Sequence, residues 1–204
     1  MEPLLFIKSL FLGMAIAAPL GPIGALCINR TLERGFVFGI AGGLGTALAD
    51  GVYAALAALG FAAFSNVLGM IDMPLRLVGG AFMLWLGWKS MRSGPPRTAV
   101  KISARDLIGT TAATFLLTIT NPITIISFAA LFAGLGLASG TGPADAILVV
   151  SGVFVGSMLW WCVLSGGVAL ARHRLPEAFA GWVSRLSGVV LIGFGLWAIG
   201  SAVF

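Results

Sequence analysis

Leu4–Ile28 reads LLFIKSLFLGMAIAAPLGPIGALCI, an apolar run with Pro19-Leu20-Gly21-Pro22 in its interior. About 20 apolar residues in a helix cover the roughly 30 Å of bilayer hydrocarbon, so the run is long enough to cross. Proline removes a backbone donor and clashes with the preceding turn, and glycine permits backbone angles closed to other residues. The stretch therefore predicts a membrane helix broken or sharply kinked in mid-span. Carbonyls released at that depth are tolerated only where protein or a watery cavity receives them.

Working outward, five more apolar runs follow at 35–64, 75–91, 107–137, 144–171 and 181–204, each bounded by charged or turn-forming residues. The composition agrees: 59% hydrophobic and 9% charged residues, against about 45–50% and 25% in soluble domains. Mean hydropathy is +1.06. Lipid leaves only helices and closed barrels, and these long runs lack a barrel's alternation. The fold class expected is all-α integral membrane, with six transmembrane helices of which the first and fourth are interrupted. Ala15-Ile16-Ala17 imitates a leader-cleavage pattern, but Glu2 precedes Lys8 and the apolar run continues to Ile28, so the first segment is expected to be retained.

Basic residues set the expected orientation. Arg30, Arg34, Lys89, Arg92, Arg97, Lys101, Arg105, Arg172, Arg174 and Arg185 fall in or beside the loops after runs one, three and five, whereas only Lys8 and Arg76 fall on the other side. That asymmetry predicts cytoplasmic loops there and both termini outside. The net charge of +5 is thus a topology signal, and nucleic acid is not an expected partner. Membrane lipid is.

The two halves echo each other. Arg76-Leu77-Val78-Gly79 with Trp88 matches Arg185-Leu186-Ser187-Gly188 with Trp197; Gly39-x-x-x-Gly43 matches Gly152-x-x-x-Gly156; Gly21-Pro22-Ile23 answers Asn121-Pro122-Ile123. The shared order predicts a three-plus-three repeat: residues 1–92, a cytoplasmic linker at 93–106, and an inverted second copy at 107–204. Inverted repeats place their sites near the midplane, on interrupted helices. The glycine pairs read as intrachain packing, with a homodimer left open.

Asp50 is the one acid deep in a run, while Asp106 and Asp145 stand at helix starts where an acid complements the dipole. A carboxyl at midplane is costly and marks an ion, proton or substrate path. The candidate binding set is therefore Pro19, Gly21, Pro22, Ile23, Gly24, Asp50, Asn121 and Pro122, with Asp50 also the candidate for proton coupling. Cys27 and Cys162 have no Cys or His partner nearby and read as small core residues. The tryptophans read mostly as interfacial anchors, with Trp160-Trp161 a candidate to face a cavity.

Pro19-Leu20-Gly21-Pro22, Arg34-Gly35, the glycines from Gly39 to Gly45, Asp50 and Gly60 resemble the first two spans of the LysE/RhtB-type amino-acid exporter family. Arg76 to Gly80, Leu86-Gly87-Trp88, Asn121-Pro122 and Arg185 to Gly188 with Gly193 and Gly195 extend the resemblance over nearly the whole chain. The family's Pro-Gly-Pro is here one residue longer. The resemblance implies export of amino acids or small derivatives from the cytoplasm, coupled to the proton or voltage gradient.

The residues themselves keep other classes in view. Transport of another small solute or a divalent metal would want several acidic, His or Cys ligands in the spans, and Asp50 stands alone. No deep residues form a nucleophile with its base, so no enzyme, catalytic residue, metal site or cofactor is expected. A structural subunit without transport would leave the paired breaks and Asp50 unexplained.

Overall fold

The computed structural model describes residues 2–18, 21–58, 61–92, 103–121, 124, 125, 127, 128, 143–174 and 177–203. Among the described residues there are seven α-helices and no strand: α1 Glu2–Ala17, α2 Pro22–Arg34, α3 Phe36–Ala58, α4 Phe61–Arg92, α5 Ala104–Ile119, α6 Pro143–Ala171 and α7 Glu177–Val203. A 3₁₀ turn, Arg172–Arg174, follows α6. By length and composition, α3, α6 and Gly181–Val203 of α7 can each cross a membrane, and the α1–α2 pair, bent by 82°, makes a fourth candidate span.

The first run is divided where its composition requires. At 1.5 Å per residue, α1 spans about 24 Å and α2 about 20 Å, so neither half crosses the hydrocarbon alone. The last backbone bond of α1 runs from Ala18 N–H to Met14 O, and the first of α2 from Ala25 N–H to Gly21 O. Pro22 occupies the first turn of α2, where its missing N–H costs nothing. The other end of α2 is closed by Gly35 at φ +96°, a left-handed conformation that disfavours any side chain, with its N–H on Thr31 O.

Two boundaries differ from the sequence expectation. The second run was expected to reach residue 64 and the third to begin at 75, but α3 ends at Ala58 and α4 begins at Phe61, passing through Pro74. A helix that satisfies its own backbone continues through the stretch between the two runs, and its 32 residues, about 48 Å, exceed one hydrocarbon crossing. Similarly, α5 begins at Ala104, inside the stretch read as linker, because Ser103 caps it by accepting from Arg105 N–H at 3.2 Å.

In the fourth run α5 ends at Ile119. Asn121 N–H bonds Thr118 O at 3.1 Å, and Asn121 O receives Ile125 N–H at 3.2 Å, so a new helical turn starts at the asparagine. Thr124, Ile125, Ser127 and Phe128 are helical. Pro19, Pro122 and the remainder of this run lie outside the described residues.

Packing is dominated by α4 against α7, α1 against α6, α3 against α6 and α3 against α5. Small residues permit the close approach. A Cβ at Gly87 would meet Gly188 O at 2.8 Å, and one at Gly195 would meet Gly80 O at 2.8 Å. Gly152 stands equally close to Phe6 O of α1, and Gly39 and Gly43 abut Ser165 and Trp161 of α6. These glycines pack within the chain. Tyr53, Phe128, Val149 and Val153 with Leu12 form one apolar cluster, and Ile23, Leu26, Met83, Leu86, Leu117, Trp161 and Leu191 belong to a second.

Candidate functional site

Gly21, Pro22, Ile23, Gly24, Asp50 and Asn121 line one cavity of about 260 Å³. The structure thus brings together the start of α2, the middle of α3 and the break after α5. Ile16, Ala17, Thr46, Thr118, Thr124, Ser127, Trp161 and Phe194 complete the lining. Asp50 lies fourteen residues into α3, about 21 Å along its axis, which sets it well inside a bilayer-spanning helix.

Each wall follows from local chemistry. The first N–H groups of a helix have no partner one turn back, so the start of α2 offers the Ile23 and Gly24 amides, with the positive end of the helix dipole behind them. Asp50 is buried, and Ser157 Oγ of α6 donates to its Oδ2 at 2.7 Å. Asp50 and Ser157 sit on facing helices, a pairing that fixes the carboxyl at the cavity edge. Trp161, one turn beyond Ser157, is buried, and its Nε1–H has no hydrogen-bond partner among the described residues. A buried indole donor left unpaired costs free energy unless something occupies the space beside it.

The break after α5 is held by groups that sequence reasoning passed over. Tyr53, one turn from Asp50 on α3, donates its hydroxyl to Ile119 O. Thr120 directs both its N–H, at 3.1 Å, and its hydroxyl, at 2.6 Å, to Leu116 O. Ile119 O, which the interruption frees, is thereby satisfied, while Leu116 O keeps its helical partner. Below them Thr111 Oγ1 donates to Ala41 O at 2.8 Å and Thr114 Oγ1 to Gly42 O at 2.7 Å, joining α5 to α3. Thr118 Oγ1 reaches Thr46 Oγ1 at 3.4 Å at the cavity floor. The signal was present: threonines at 110, 114 and 118 recur every four residues and mark one helix face.

Among the described residues no three His, Cys, Asp or Glu side chains come together. The cavity instead combines one carboxyl, hydroxyls, an amide, an indole N–H and helix-terminal amides. Such a set suits a small molecule bearing both a negative and a positive group.

A multi-pass helical membrane protein with a polar cavity at a helix break is the class that these features define. The chain belongs to the LysE type translocator family, whose description matches residues 14–201. Those proteins are transporters, not enzymes. It is 23% identical to the threonine efflux protein of Escherichia coli, over 90% of this chain and 91% of that one. It is 30% identical to the arginine exporter protein ArgO of Pectobacterium carotovorum over 48% of each chain. The chemotactic transduction protein ChpE of Pseudomonas aeruginosa is 29% identical over 93% of this chain and 94% of its own. No solved structure matches the chain.

Proposed function

We propose that this protein is a secondary active exporter of amino acids or small amino-acid derivatives across the cytoplasmic (inner) membrane, coupled to the proton or voltage gradient. The observation that carries the reading is the convergence of Gly21 to Gly24, Asp50 and Asn121 on one cavity. Relatives named for threonine efflux and arginine export support the substrate class.

In this reading the substrate carboxylate sits at the start of α2, on the Ile23 and Gly24 amides, with the Trp161 indole N–H as a further donor. The ammonium group faces Asp50, with Asn121 and the Thr46 and Thr118 hydroxyls beside it. Asp50 exchanges the ammonium for a proton, which gives the coupling. A cavity of about 260 Å³ lies at the small end of ligand pockets, which run from roughly 300 Å³ upward, as suits a free amino acid.

The architecture that goes with this mechanism is six spans in two inverted repeats, termini outside. Exchange of the two halves turns the α1–α6 contact into the α5–α3 contact and leaves α3–α6 and α4–α7 as pairs across the pseudo-axis. All four are extensive contacts in the fold. Rocking one repeat against the other would expose the cavity to each side in turn. The test is counterflow in proteoliposomes against a panel of amino acids: at least one should drive accumulation of its labelled form, and failure of every member would contradict the proposal.

A further inference from the structure

A second cavity, of about 370 Å³, lies between α2, α4 and α5, lined by Asn29, Arg30, Glu33, Lys89, Arg105 and Thr110 among others. It lies one apolar layer away from the central one. On α5 the central lining includes Thr118 and the second lining Ala113, five residues or about 7.5 Å apart, and on α2 the linings pass from Gly24 to Leu26. The apolar cluster that gives Ile23 and Trp161 to the central cavity gives Leu26 and Leu86 to this one, with Leu117 and Met83 buried in its midst.

The second cavity is a built site. Asn29 is only 3% exposed. Its Nδ2 donates to Ser90 Oγ at 3.4 Å, and Ser90 Oγ gives its own proton to Ser184 O at 2.9 Å. Ser90 can then only accept from Asn29, which fixes the amide orientation and leaves Asn29 Oδ1 a buried acceptor with no partner among the described residues. On the same lining, Arg30 Nη1 donates to Thr110 Oγ1 at 2.7 Å, so the guanidinium is tethered with further N–H groups to spare. Arg34, Lys89 and Arg105 against Glu33 and Asp106 leave the lining net positive.

Resting on the export reading, we propose that this cavity is a loading site, in which Arg30 takes an amino acid's carboxylate and Asn29 Oδ1 its ammonium before the apolar layer opens to the central cavity. An orphaned acceptor beside a tethered cation is complementary to a zwitterion; a simple anion would leave Asn29 unpaired. The surplus positive charge draws the carboxylate in from the cytoplasmic face.

Occupancy can be read without transport. Gly109 lines the cavity, and a Cβ there meets nothing within 4 Å. In a chain with Cys27 and Cys162 replaced by alanine, Gly109→Cys would be labelled with an impermeant maleimide from the cytoplasmic face of inside-out vesicles, using threonine as the probe. Threonine should slow labelling even with Asp50→Asn present, threonine methyl ester should not, and Arg30→Gln should raise the threonine needed about tenfold or more. Should Arg30→Gln not accumulate, Arg30→Lys, which keeps the charge and loses the guanidinium fork, carries the same test with a smaller expected shift. Protection that vanishes with Asp50→Asn would mean one site rather than two and would overturn the proposal. So would absent protection in a chain that still performs threonine counterflow, an outcome that leaves the export reading standing; loss of protection together with failure of every amino acid in the counterflow panel would take down both.

Discussion

Replacing Gly45 by alanine tests the α3–α5 seam that frames the central cavity. A Cβ there would be 2.8 Å from Phe115 N and would also collide with Thr111 O and Thr114 Oγ1. Two of these are helix backbone and cannot rotate away, so α3 and α5 must separate. Overpacking of this kind costs about 1–3 kcal/mol. Loss of the Thr114 hydroxyl bond to Gly42 O adds roughly 0.6–1.7 kcal/mol, and the better helix propensity of alanine returns at most about 1 kcal/mol. The net is a destabilisation of about 1–4 kcal/mol. Gly51→Ala on the same helix is the control, because its Cβ would find only Phe154 Cβ, at 4.0 Å, an ordinary contact. At roughly 2–4 °C per kcal/mol for a chain this size, thermal unfolding in detergent should drop by about 2–16 °C for Gly45→Ala and hold or rise for Gly51→Ala. Equal melting temperatures for the two variants would refute the packing argument.

Tyr53→Phe, which leaves Ile119 O without its hydroxyl donor, should destabilise by about 1–3 kcal/mol in the same assay and lower transport more than a general loss of stability accounts for. Trp161→Phe removes the unpaired N–H together with one of the indole's two rings; it should raise the half-saturating substrate concentration several-fold beyond what the modest melting loss from the buried cavity accounts for, and an unchanged value would remove the indole from the site. Single-cysteine labelling at Ser93 should report the cytoplasm and at Ser201 the outside, and the opposite pattern at either would reverse the orientation.

Much of this was legible because lipid restricts the options so severely. Apolar runs without barrel alternation must be helices, and Pro19 to Pro22 in mid-run was expected to break or kink one; α1 ends at Ala17 and α2 begins at Pro22. Asp50 stood out because few physical roles justify a carboxyl so deep. The α3–α4 boundary was misplaced because a gap between apolar runs does not oblige a helix to stop while its backbone stays satisfied. Trp161 was weighed only as a candidate, since a tryptophan's depth and rotation depend on partners such as Gly43 that no local pattern reveals. The threonine face of α5 and the Tyr53 cap were missed for a related reason: hydroxyls that bond a neighbouring helix look like ordinary helix residues until that helix is in place. Asn29, next to the topology arginine Arg30, carried no signal until Ser90 and Ser184 fixed its amide.

Counterflow in proteoliposomes of whichever panel amino acid the intact protein carries, intact protein against Asp50→Asn at matched incorporation, tests the central claim most directly. Among the described residues Asp50 is the one carboxyl on the central cavity, and the substitution preserves its shape and a hydrogen-bonding partner for Ser157. The account predicts that the intact protein accumulates the labelled amino acid and that Asp50→Asn does not, with melting temperature and helical content unchanged. Accumulation by Asp50→Asn at the rate of the intact protein would contradict it.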